Sequence, residues 1–132
     1  MSEPAPKEPT FTDAEIDALV ETFYAKVRRH PRIGPVFNGQ IAEEAWPHHM
    51  AMLKDFWATV LQGSGRYKGS PMAVHQRIEG FQEWMFTPWL NLFHATCVEL
   101  FDAPRAAIIG EKAERIARSL KLGLFFRPGA PA

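Results

Sequence analysis

Gly69-Ser70-Pro71-Met72-Ala73-Val74-His75-Gln76-Arg77-Ile78 reads as a short helix that has only just begun. Ser70 carries the kind of side-chain oxygen that caps a helix N-terminus, and Pro71 suits the first turn, where its missing N–H leaves no bond unmade. On such a helix Pro71, Met72 and Ile78 stand at i−4, i−3 and i+3 from His75, so the imidazole faces apolar neighbours. A neutral imidazole in an apolar space either bonds to a backbone carbonyl or ligates a metal. By itself the stretch leaves both readings open.

The segments on either side are helical too. Thr12 and Glu15 make a T-x-x-E capping box, followed at helical spacing by Ile16, Leu19, Val20, Phe23, Tyr24 and Val27. Pro31 disfavours helix in the residue before it, so this first helix is expected to stop near His30. Gly34 to Gly39 reads as a tight corner that tucks Phe37 inward. A second helix is expected from about Trp46-Pro47, with His49, Met50, Leu53, Phe56, Trp57, Val60 and Leu61 on one side. Gln62 to Ser70 is a polar, glycine-bearing loop that leads into the His75 helix. Beyond it, Glu83 to Phe101 predicts a helix apolar nearly all round, broken or kinked at Thr87-Pro88. Asp102 and Pro104 open a last helix striped with Ile109, Ala113, Ile116 and Leu120. There is no alternating strand pattern and no repeat, so the class is all-α.

At 132 residues the chain is the size of one domain. Residues 1–10 read as a loose tail that is neither signal peptide nor anchor, 11–124 as the domain, and 125–132 as a breaker-rich C-terminal tail. Fifteen basic residues balance fifteen acidic ones, so no basic stripe points to nucleic acid. The longest uncharged stretch, Trp84 to Val98, is too short for the roughly 20 apolar residues of a membrane span. Cys97 is the only cysteine, which excludes an internal disulfide and fits a reducing, cytoplasmic setting.

Inward-facing histidines in an all-α chain raise three metal readings. A di-iron carboxylate bundle requires paired Glu-x-x-His steps, and the sequence contains none. A structural zinc site needs four ligands; His94 and Cys97 form one i, i+3 pair with no second. Haem requires only one imidazole from the protein, because the porphyrin supplies four ligands. Ten Phe and four Trp suit the apolar, aromatic-lined slot that a flat macrocycle occupies. No Cys-x-x-Cys-His occurs, so such a haem would be held non-covalently. Tyr24, His49 and Trp89 each put a polar tip on an apolar helix face, and each tip needs a partner. A core residue bonded to a carbonyl remains the alternative for each of them. Gly63-x-Gly65-x-x-x-Gly69 has no strand before it and fits no phosphate-loop fingerprint. His30, His48 and His94 read as ordinary, with His48 facing solvent, and Cys97 as a small core hydrophobe.

Taken together, Phe23-Tyr24-Ala25-Lys26-Val27-Arg28, Ile33-Gly34-Pro35-Val36-Phe37 and Trp46-x-x-His49 closely resemble the group III truncated haemoglobins. So do Asp55-Phe56-Trp57, Gly65-Arg66-Tyr67-x-Gly69-x-Pro71-Met72-x-x-His75, Trp89-Leu90-x-Leu92-Phe93 and Arg115-Ile116-Ala117-x-Ser119-Leu120. The resemblance runs from Phe11 to about Leu124 and is specific in its joint order and spacing. It implies a shortened globin, a two-on-two helical sandwich around non-covalent haem b. His75 then resembles the proximal iron ligand, Tyr24 and Trp89 the distal donors, and His49 a distal histidine able to swing as a gate. Phe37 resembles the phenylalanine packed on the porphyrin. Phe23, Leu53, Phe56, Trp57, Met72, Ile78 and Phe81 are expected around the cofactor, with Arg66 and Tyr67 near a propionate. Glu79-Gly80 departs from the proline-rich segment common in relatives.

The resemblance implies reversible binding of O2, NO or CO, for storage, sensing or transport. Two further readings stay open. One is a haem enzyme for NO dioxygenation or peroxidase-like chemistry, which needs a partner reductase because the chain has no flavin or nicotinamide fingerprint. The other is a helical domain whose histidines are core. With no obvious spare apolar helix face, a monomer is expected.

Overall fold

The computed structural model describes residues 9–78 and 80–125. The N-terminal tail expected over 1–10 lies almost wholly outside this range, as do Glu79 and the tail from 126. Six α-helices follow in order: α1 (Asp13–Arg29), α2 (Gly34–Gln40), α3 (Trp46–Gln62), α4 (Pro71–Gln76), α5 (Phe86–Leu100) and α6 (Ala103–Phe125). Short 3-10 turns at Glu43–Ala45 and Glu83–Met85 precede α3 and α5. There is no strand among the described residues, and no helix is long and apolar enough to cross a membrane.

Helix α1 starts where its capping box requires. The Thr12 N–H donates to the Glu15 carboxylate at 3.0 Å, and the Glu15 N–H returns a bond to the Thr12 hydroxyl at 3.1 Å. It ends as Pro31 demands, with His30 in extended backbone. The His30 Nδ1 then accepts the N–H groups of Arg32 and Ile33, at 3.1 and 3.2 Å, and so turns the chain into α2. Helix α3 is closed by Gly63, whose φ of 68° is a left-handed value that suits glycine. Asp102 accepts the Arg105 N–H at 3.1 Å and opens α6.

Three elements differ from expectation. The segment holding Phe37 is a helix of seven residues, not a tight corner, because Pro35 falls in its first turn and costs no hydrogen bond. For the same reason Pro88 neither breaks nor kinks α5. The helix begins only at Phe86, so the proline sits in the first turn, and the 3-10 turn takes up the residues before it. Phe125, expected at the start of the tail, is the last residue of α6 and stacks on Phe81 at 5.8 Å.

α1 packs against α3 and α5, α5 against α6, and α4 reaches α6. The pairs α1–α3 and α5–α6, joined through α1 and α5, make the two-on-two arrangement. Phe23 is the hub, with no exposed surface and edge-on contacts to Tyr24, Trp89 and Phe93 at 4.7, 5.3 and 4.9 Å. Trp57 and Trp89 both stack on Phe93, at 4.9 and 5.5 Å. Burying a side chain of this size contributes about 1.5–3 kcal/mol, and the interlocked rings leave Tyr24 and Trp89 little freedom. The core is divided: a smaller cluster of Phe86, Ala117 and Leu120 lies apart from the main one. The site opens beside that division.

Candidate functional site

All six helices contribute to a cavity of about 420 Å³, a size typical of small-molecule sites. Tyr24 comes from α1, Phe37 from α2, and His49, Leu53, Phe56 and Trp57 from α3. His75 comes from α4, Phe86 and Trp89 from α5, and Ile116, Ala117 and Leu120 from α6. Most of the lining is aromatic or aliphatic, so the few polar groups stand out.

Ser70 caps α4 as its sequence requires, accepting the Ala73 N–H at 3.2 Å. One turn along, His75 Nδ1 lies 2.6 Å from the Pro71 carbonyl oxygen. A carbonyl only accepts, so Nδ1 carries the proton and Nε2 keeps its lone pair. The two readings left open for this residue are therefore compatible. Bonding to a carbonyl is how a metal-ligating imidazole fixes its tautomer and orientation. Phe81 packs edge-on against the ring at 5.2 Å. Among the described residues no group of three His, Cys, Asp or Glu gathers to hold a bare metal ion. An imidazole held with Nε2 free in a mainly apolar slot suits a macrocycle that brings its own donors.

Tyr24 and Trp89 also meet in the cavity wall. Burial pushes the Tyr24 hydroxyl's pKa far up, while the neighbouring Trp89 indole pulls weakly the other way. Tyr24 is thus a neutral donor at any ordinary pH. His49 lies edge-on to the Tyr24 ring at 6.4 Å. Its pKa is lowered, chiefly by burial and then by His48 and His75, so the neutral imidazole is favoured. His48 is exposed on the other side of α3.

Trp46 stands behind this group. It is only 5% exposed, and its ring lies 5.4 Å from that of His49 and 6.5 Å from that of Tyr24. Its indole N–H is buried without an acceptor among the described residues, an arrangement that costs about 1–3 kcal/mol.

Of the residues expected at the site, Tyr24, Phe37, His49, Leu53, Phe56, Trp57, Tyr67, His75, Ile78, Phe81 and Trp89 line the cavity. Phe23, Arg66 and Met72 do not. Phe23 lies one layer behind Tyr24 and Trp89. Met72 turns toward α6 and joins the smaller core cluster. Arg66 is claimed by Asp13 at 3.3 Å and Asp55 at 3.8 Å. The cation in the lining is Arg77, whose Nε donates to the Ala73 carbonyl at 3.3 Å and which pairs with no described carboxylate. Sequence reasoning missed it, although it lies two residues past His75, just beyond the last turn of α4. Ile116 and Leu120 had been read only as core stripe. His94 faces Glu114 at 2.7 Å, and Cys97 is buried with its thiol pushed up to about 12 by burial, so this pair is no ligand set.

The chain is 34% identical over 110 residues to the group 3 truncated hemoglobin ctb of Campylobacter jejuni, a match covering 82% of this chain and 87% of that protein. The chain belongs to the group III truncated haemoglobins. The crystal structure of group III truncated hemoglobin from Campylobacter jejuni matches this truncated haemoglobin with a TM-score of 0.84 at 32% identity. That match takes in 96% of this chain and 100% of the other. No family model matches the sequence. Membership of a globin family implies a haem cofactor, and the cavity chemistry fits one: one oriented imidazole, an apolar slot, and neutral donors in the wall.

Proposed function

We propose that this truncated haemoglobin holds haem b non-covalently through His75 Nε2 and reversibly binds a diatomic gas, O2, NO or CO. The observation that carries the reading is the His75 Nδ1–Pro71 bond, which leaves the Nε2 lone pair free in a mainly apolar cavity. The haem iron supplies the coordination position at which a gas molecule binds. The rest falls to the side chains. Phe37, Phe56 and Phe81 offer aromatic surface to a flat ring, and Arg77 offers a cation to its carboxylates. Tyr24 and Trp89 supply the neutral donors for a bound gas, and His49 stands beside them as a gate. The protein is read as a cytoplasmic monomer.

A visible spectrum of the protein titrated with hemin, then reduced and exposed to CO, tests the proposal. The expected result is a sharp Soret band that saturates at one equivalent and shifts cleanly with CO. A broad band from loosely adsorbed hemin would overturn the proposal and leave His75 as a core histidine.

A further inference from the structure

We propose that Trp46 is the movable wall of a second route for gas into the site, held shut by Arg28 and Glu43. The inference rests on the gas-binding reading above. On its outer side Trp46 lines an open groove of about 490 Å³, shared with Glu21, Glu43, Pro47, Met50, Ala51 and Lys54. On its inner side its ring meets Tyr24 and His49, which line the cavity. One side chain thus separates bulk solvent from the distal donors, at a place other than His49 itself.

Trp46 is also held unlike its neighbours. Trp84 donates to Gln82 at 3.0 Å, whereas the Trp46 N–H is buried with no acceptor among the described residues. Swinging the ring outward breaks no hydrogen bond and hydrates a buried donor, which offsets part of the lost packing. Besides the rest of that packing, an electrostatic contact opposes the swing. The Arg28 guanidinium lies 4.4 Å from the Trp46 ring centroid, a cation–π contact. Arg28 is kept there by its ion pair with Glu43 and by Asn38, which accepts from Nε at 2.9 Å. The Glu43 side chain is 80% exposed, so salt weakens the latch. CO and O2 carry no charge, so salt has no direct effect on their approach.

The test uses the full chain and two readouts. In the haem-loaded protein, CO rebinding after flash photolysis should speed up with added salt. Glu43→Gln and Arg28→Gln should be faster than the parent at low salt by roughly two- to fivefold, the upper value corresponding to the ~1 kcal/mol of a good exposed pair. Both should lose most of the salt dependence. Glu21→Gln, in the same groove but paired with Lys54 at 2.9 Å, should match the parent. In the protein without haem, solvent exchange of the Trp46 indole N–H, assigned by its loss in Trp46→Phe, should accelerate in Glu43→Gln and at high salt. Parent-like rebinding and exchange in both latch variants would overturn the proposal. Failure to take up hemin at all, visible in the Soret band before any flash, would remove the gas-binding reading and this route with it. Accelerated N–H exchange with unchanged rebinding would show a loose wall that gas does not use, and would also overturn it.

Discussion

The Pro71 carbonyl oxygen sits 2.6 Å from His75 Nδ1, one helical turn away, and this contact decides which imidazole nitrogen is free. His75→Gly should lose stoichiometric hemin binding while keeping the helical fold, since His75 is only half-buried. Added imidazole should restore a Soret band, because the ligand is replaced and the cavity is kept. Hemin titrations with and without imidazole check this. A His75→Gly protein that keeps the parent spectrum unaided would remove the assignment.

Tyr24 and Trp89 both line the cavity and the indole acts on the hydroxyl, so they are expected to act as a pair on bound oxygen. A hydrogen bond to a charged partner contributes about 1.5–3 kcal/mol. Losing it in Tyr24→Phe should speed oxygen dissociation on the order of tenfold or more, at 1.4 kcal/mol per decade. Stopped-flow displacement of O2 by CO measures it. An unchanged rate would move the role to Trp89 or His49.

Glu15 links the start of α1 to Arg105 in the first turn of α6, at 2.6 Å. Its pKa lies below the ordinary 4.5, first because of the Thr12 backbone N–H and then because of Arg105, against an opposing effect of burial. A carboxylate depressed in the folded state stabilises above its unfolded pKa, and that contribution is lost as pH falls through the folded value. Glu15→Gln should therefore be less stable than the parent at pH 7, with a smaller deficit at pH 3. Urea midpoints at the two pH values give the comparison. An equal deficit at both would rule out titration of Glu15 as the cause.

Gly34 lets α2 approach α1. A Cβ added there would lie 2.7 Å from the Arg28 carbonyl oxygen, a backbone atom that cannot rotate away. Gly34→Ala should cost about 1–3 kcal/mol, the usual range for overpacking, measured by urea unfolding. A cost below ~0.5 kcal/mol would show that the α1–α2 junction yields easily.

Where the decisive chemistry is local, the sequence could be read directly. The Thr12–Glu15 box, the stop before Pro31 and the Ser70 cap each involve residues within four positions of one another, and all stand where they were expected. The carbonyl bond of His75 was open to reading for the same reason, since Pro71 lies one turn away on the same short helix. Pro88 was misread because a proline's effect depends on how far it stands from the helix start, and the start at Phe86 was not visible in the pattern.

Long-range choices had no such local mark. Arg66 and Arg77 are equally basic in sequence, yet Asp13 and Asp55 claim one while the other reaches the cavity. Met72 and Ile78 flank His75 alike, but one turns to α6 and the other to the lining. By itself the sequence determined most of the helices, several of their caps and the residue types able to hold a haem, because propensity, capping and periodicity act within a turn or two of chain. Only the tertiary structure decided which of those side chains meet, brought Trp89 beside Tyr24 and left the Trp46 N–H without an acceptor among the described residues. Packing and charge pairing join residues far apart in the chain, and spacing along it carries no record of the outcome.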